Sequence, residues 1–83
     1  MIIKILGTGC PNCKRTEQAV KTAIEELNID ATVIKVEDIM EIMQYNIMST
    51  PAVVLDEVVK IKGRVPSVQE LKDLFQPEYK INL

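Results

Sequence analysis

Both cysteines of this chain fall in one turn, Gly7-Thr8-Gly9-Cys10-Pro11-Asn12-Cys13, set between an apolar run and a strongly helical stretch. No other feature narrows the available folds as much. Two cysteines placed at random over 83 residues would stand three apart roughly two times in a hundred, so the spacing carries information. A Cys-x-x-Cys pair can be a redox couple, half of a metal site or an incidental structural pair, and its surroundings decide between them. Met1 to Leu6 reads as a strand, being short, β-branched and stopped by glycine. Pro11 suits the first turn of a helix, where its missing N–H costs nothing and its fixed φ already fits. Cys10 is therefore expected at a helix N-terminus, where unpaired N–H groups and the positive dipole end favour a thiolate. The thiolate is the species that attacks a disulfide, which makes Cys10 the candidate nucleophile. Cys13 falls one turn further in on the same side of the helix, placed to resolve a mixed disulfide on Cys10.

The rest of the chain narrows the chemistry. Its 83 residues, 47% of them apolar, suffice for one small domain spanning residues 1–83. The net charge of −2 arises without a basic block or interleaved aromatics, so nucleic acid is not an expected partner. The N-terminal apolar run is too short for a signal peptide and includes Lys4, and no segment approaches membrane-spanning length. The expected setting is cytoplasmic, with no membrane association, and there structural disulfides are rare. A crosslink enclosing two residues would in any case stabilise by only about 2 kcal/mol. Histidine is absent, which removes Cys-His catalysis and every His metal ligand. Met40 and Met43 fall at helical spacing beside Ile39 and Ile42 and read as core rather than as soft metal ligands.

From Pro11 to about Asn28 the pattern is helical. Ala19, Val20, Ala23, Ile24 and Leu27 form a stripe, while Lys14, Arg15, Glu17 and Lys21 lie on solvated faces. Glu17 and Lys21 make a favourable i,i+4 pair. Ala31 to Val36 is a second strand, parallel to the first through a right-handed βαβ crossover. A short helix follows, with Ile39, Ile42 and Met43 expected inward and Glu37, Asp38 and Glu41 capping its start. Tyr45 reads as a packing residue. Val53 to Leu55 and Val58 to Gly63 are so close that they must form a hairpin, although Asp56-Glu57 is weak turn chemistry. Ser67 and Glu70 form a capping box for a last helix with Val68, Leu71, Leu74 and Phe75 inward. Pro77 ends it, leaving 78–83 as a tail.

The order β-α-β-α-β-β-α, with Cys-x-x-Cys at the first strand-helix junction and Thr50-Pro51 before the third strand, resembles the thioredoxin and glutaredoxin superfamily over nearly the whole chain. Gly7 to Cys13 and Ser49-Thr50-Pro51-Ala52 look more narrowly like the small prokaryotic proteins called redox-active disulfide protein 2. The resemblance implies an α/β fold of glutaredoxin size, with a four-stranded mixed sheet in the order 2-1-3-4 and helices on both faces. It implies that Cys10 is exposed, that Pro51 is a cis-proline packed against the cysteine pair, and that Thr50 pairs with an extended substrate. Proline at a strand start is otherwise ordinary in trans, and cis forms only about 5–6% of X-Pro bonds in folded proteins.

There are departures. Thioredoxins generally have Trp before the first cysteine and Gly-Pro between the pair, where this chain has Gly9 and Pro11-Asn12. Their buried acid six residues before the first cysteine is Lys4 here, read as reaching solvent or, alternatively, as holding a thiolate. The proton acceptor for Cys13 is thus unassigned. Arg64 reads as a solvated loop residue, and glutathione is not implied. The leading expectation is a monomeric protein disulfide oxidoreductase that needs no cofactor. It would use Cys10 and Cys13 on disulfide-containing proteins and be recharged by a thioredoxin-reductase-type donor. The rival is a soft-metal module binding Cu(I) or zinc through the pair. A redox-inert interaction domain is a third possibility, and the retention of both cysteines argues against it.

Overall fold

The computed structural model describes residues 1–9 and 11–75. Cys10 and the tail beyond Phe75, including the stop expected at Pro77, lie outside the described residues. In chain order the elements are β1 (Ile2–Leu6), α1 (Pro11–Leu27), β2 (Thr32–Val36), α2 (Ile39–Met43), β3 (Ala52–Leu55), β4 (Val58–Lys62) and α3 (Val68–Phe75).

The sheet runs β2-β1-β3-β4, the order that the resemblance implies. Central β1 pairs in parallel with β2 and antiparallel with β3, and β3 pairs antiparallel with β4. Side chains alternate across a strand, so β1 divides its residues between two cores. Ile3 and Ile5 join Val53 and Ile61 beneath Val20 and Ala23 of α1 and Leu71 and Phe75 of α3. On the opposite face Leu6 joins Val36, Ala52 and Val54 beneath Ile42 and Ile47. Helices therefore cover both faces.

Local signals account for the ends of the elements. α1 stops at a Schellman motif: Asn28 takes φ 54°, its N–H donates to the Glu25 carbonyl, and the Ile29 N–H donates to the Ile24 carbonyl. Asparagine tolerates this left-handed position better than most residues. Asp38 caps α2 by accepting from the Met40 N–H at 2.9 Å. Ser67 caps α3 by accepting from the Glu70 N–H at 3.1 Å. The reciprocal half of the expected capping box is replaced, because the Glu70 carboxylate takes both arms of the Arg64 guanidinium. Arg64 is thus an ion-pair partner and not simply a solvated loop residue.

The β3-β4 turn is unusual in sequence. Asp56 and Glu57 have φ 47° and 70°, the left-handed pair that a two-residue hairpin demands and that Asn-Gly normally supplies. Tertiary bonds hold it. The Asp56 carboxylate accepts from the Ile2 N–H at 2.8 Å, the Asp56 N–H donates to the Ile2 carbonyl at 2.9 Å, and the Glu57 carboxylate accepts from both Lys4 and Tyr45 at 2.9 Å.

The second helix corrects the sequence reading. Of its apolar residues only Ile42 is buried, and Ile39, Met40 and Met43 are 61%, 71% and 62% exposed. A helix of five residues can lay roughly one side chain per turn against a sheet. Ile42 takes that place and turns its neighbours outward.

Candidate dithiol site

Cys13 sits in the first turn of α1 and is 6% exposed. Its burial depends on Gly7. A Cβ built on Gly7 would stand 2.2 Å from Cys13 Sγ, 3.2 Å from Cys13 Cβ and 3.9 Å from Thr50 Cβ. Glycine at the end of β1 thus serves close approach, and it brings the end of the strand, the first helical turn and the loop before β3 to one point. This role escaped the reading of the sequence. The available signal was a glycine directly after a strand and six residues before a cysteine. Gly9, at φ 83°, has a different reason for being glycine: its backbone occupies the left-handed region, which side chains disfavour.

The Thr50-Pro51 peptide is cis, as the resemblance implies. Pro51 is fully buried, and its carbonyl accepts from the Gly63 N–H at 2.9 Å. Thr50 is exposed, and none of the described residues pairs with its backbone. Of the four residues read as functional, Cys13 and Thr50 lie around Gly7, and Pro51 follows Thr50 in the chain. Cys10, the fourth, lies outside the described residues.

A cleft of about 80 Å³ opens beside Cys13 between Gly7 and Gly9, walled by Glu17, Lys35 and Glu37. Glu37 reads from the sequence as one of three carboxylates near the start of α2. Its carboxylate lies 3.6 Å from the Cβ position of Gly9, while Asp38 caps α2 and Glu41 stands in its first turn as expected. Glu17 bridges Lys21 at 3.0 Å and Lys35 at 3.6 Å. These bonds, that with Lys21 foremost, hold its carboxyl below the ordinary value of 4.5.

Lys4 follows neither of its expected courses. Its ammonium donates to the Tyr45 hydroxyl and to the Glu57 carboxylate at 2.9 Å each, and Tyr45 donates in turn to Glu57. Tyr45 and then Glu57 raise the Lys4 pKa, and Lys4 followed by Tyr45 lowers that of Glu57. Strand alternation sends Lys4 to the face opposite Ile5, and Ile5 lines the cleft with Cys13. Lys4 thus braces the α2 side of the sheet through Tyr45 and Glu57. Tyr45 packs against the smaller core as expected, with this network added. Arg15 reaches Asn12 Oδ1 at 3.4 Å.

A mixed sheet in this order, with a Cys-x-x-Cys turn after its central strand and a cis-proline loop across from it, defines a thioredoxin-like fold, the class of the thiol-disulfide oxidoreductases. The chain belongs to the thioredoxin family: the family model described as "Thioredoxin domain" matches residues 1–76. A curated protein of Methanocaldococcus jannaschii named Thioredoxin is 47% identical over 73 residues, covering 88% of this chain and 84% of its own length. One of Methanothermobacter thermautotrophicus, also named Thioredoxin, is 38% identical over 75 residues, covering 90% of this chain and 97% of its own length. Both names belong to proteins close in length to this one, although its turn lacks the Trp and the Gly-Pro general in thioredoxins. No helix among the described residues is long and apolar enough to cross a membrane.

Proposed function

We propose that the chain, as one thioredoxin-like domain over residues 1–83, exchanges a Cys10/Cys13 dithiol for disulfides in protein substrates. Cys10 is the nucleophile. Its thiolate attacks one sulfur of the substrate disulfide, forming a mixed disulfide and releasing the other substrate sulfur, which takes up a proton. Cys13 then gives up its proton and attacks Cys10 Sγ. The Cys10–Cys13 bond forms, the mixed disulfide breaks, and the second substrate thiol departs. Two electrons and two protons have passed to the substrate. A dithiol donor of the thioredoxin-reductase type reverses the change on the protein, and a cytoplasmic monomer fits this cycle.

One observation carries the reading: buried Cys13 and exposed Thr50 meet at the same glycine. A sulfur in that place is shielded from solvent thiols yet adjacent to Thr50, whose backbone pairs with none of the described residues and where an extended substrate segment could pair as an added strand. Thr50 and Pro51 are the proposed substrate-binding residues.

The test is insulin reduction beside the reduction potential of the pair. Turnover with a potential of roughly −200 to −300 mV is expected. Cys10→Ser should abolish exchange, and Cys13→Ser should accumulate mixed disulfides with substrate. Turnover of the Cys13→Ser variant at the parent rate would overturn the resolving role. A pair that neither equilibrates with thiol buffers nor reduces insulin would overturn the whole reading.

A further inference from the structure

Resolution requires Cys13 to lose a proton as it attacks, yet its side chain is only 6% exposed, and burial disfavours the thiolate. The proton needs both a path and an acceptor. Cys13 lines the cleft of about 80 Å³ whose walls include Lys14 and Glu17 of α1, Lys35 of β2, and Glu37. That volume exceeds what one water needs, and charged walls supply the polar partners that hold water in place. The cleft is therefore the path. The ammonium groups of Lys14 and Lys35 have no lone pair to offer a proton, which leaves the two carboxylates.

These two are not equivalent. Glu17, four residues after Cys13 on the same side of α1, is held by Lys21 at 3.0 Å and by Lys35 at 3.6 Å. A proton arriving there would have to displace both ammonium groups, a resistance expressed in its lowered pKa. Glu37 follows directly on β2, is exposed, and is in no ion pair with another described residue. Its Oε2 lies 3.6 Å from the Cβ position of Gly9, the residue directly before Cys10. It stands at the cysteine turn with no cation to release before it takes a proton, and with solvent beside it to carry that proton away.

We propose that Glu37 accepts the Cys13 proton during resolution, through a water bridging this cleft. The proposal rests on the exchange reading and gives that cycle its proton acceptor. The Cys13 S–H bond breaks, its proton passes through the water to a Glu37 carboxylate oxygen, and the electron pair left on sulfur forms the Cys10–Cys13 bond. The bond from Cys10 to the substrate sulfur breaks, and that sulfur leaves with its electron pair and is protonated from solvent. Glu37 then returns its proton to solvent. Glu17, fixed between Lys21 and Lys35, is a wall of the path and not its end.

Stopped-flow mixing of the reduced protein with dipyridyl disulfide, a neutral probe that releases one coloured thione per attack, separates the two steps. Attack by Cys10 gives a phase that scales with probe concentration, and attack by Cys13 gives a second phase that does not. Glu37→Gln should slow the second phase about tenfold near neutral pH and leave the first no slower. The deficit should close above about pH 8.5, where a thiol ionises without help. Glu37→Asp keeps a carboxylate and should recover part of the rate. Glu41→Gln removes the same charge outside the cleft and should not slow the second phase. A second phase at the parental rate in Glu37→Gln, equal slowing of both phases, or a deficit unchanged at high pH would overturn the proposal. So would a second phase slowed by Glu17→Gln alone, since Glu17 would then be the acceptor. Each of these outcomes leaves the parent releasing two thiones. If the parent releases one or none, the exchange reading itself falls and the acceptor role falls with it.

Discussion

Gly7→Ala is the sharpest probe of how the site is built. The new Cβ would lie 2.2 Å from Cys13 Sγ, so the sulfur or the strand end must retreat by about 1.2 Å to reach the 3.4 Å at which ordinary contact begins. Neither yields readily: Cys13 is anchored in the first turn of α1, and Leu6, next to Gly7, is fully buried in the second core. Overpacking of this kind costs about 1–3 kcal/mol. In a domain of this size about 2 kcal/mol corresponds to a fall in Tm of roughly 8–16 °C. Urea melts of the reduced protein would measure the loss, and the same substitution in a Cys13→Ala background isolates its cause. Without the sulfur the nearest remaining contact is Cβ to Cβ at 3.2 Å, which a shift of a few tenths of an ångström relieves. The cycle should therefore show a coupling of about 1 kcal/mol or more. If Gly7→Ala is silent, or destabilises both backgrounds equally, the close approach of strand end and sulfur is not what requires glycine here.

Other consequences follow from the ion pairs and the bracing network. Tyr45→Phe removes the hydroxyl that accepts from Lys4 and donates to Glu57. It should lower stability by about 0.5–1.5 kcal/mol, read from urea melts, and a parental midpoint would show that the network contributes nothing. Glu17, Glu57 and Glu70 all ionise below their ordinary value of 4.5 through their cationic partners. A carboxyl depressed in the folded state binds fewer protons there than in the unfolded chain, so its contribution is complete above 4.5 and declines as pH falls through the folded values. Urea midpoints should thus fall below about pH 4.5, and the fall should be shallower in Glu57→Gln/Glu70→Gln. An identical acid profile in that variant would remove these pairs as its cause.

What could be read from the sequence is what neighbours along the chain decide. The period of Val20, Ala23 and Leu27, the Ser67 cap and the close spacing of the two β runs each lie within a few residues. They sufficed for the element order, the parallel β1-β2 pair, the β3-β4 hairpin and the place of Cys13 in the first turn of α1. The sheet order and the cis Thr50-Pro51 peptide came from family resemblance, since no local rule implies either. Tertiary structure alone decided which apolar residues of α2 face inward, because a single turn that is apolar on every side has no periodicity to separate its faces. It decided also that Lys4 meets Tyr45 and Glu57, 41 and 53 residues away, that the Glu37 carboxylate lies beside Gly9, and that Gly7 yields its side-chain space to Cys13. Each of these is a contact between segments that meet only once the sheet has formed, and the side-chain types involved, a lysine, a glutamate and a glycine, fit many other places equally well.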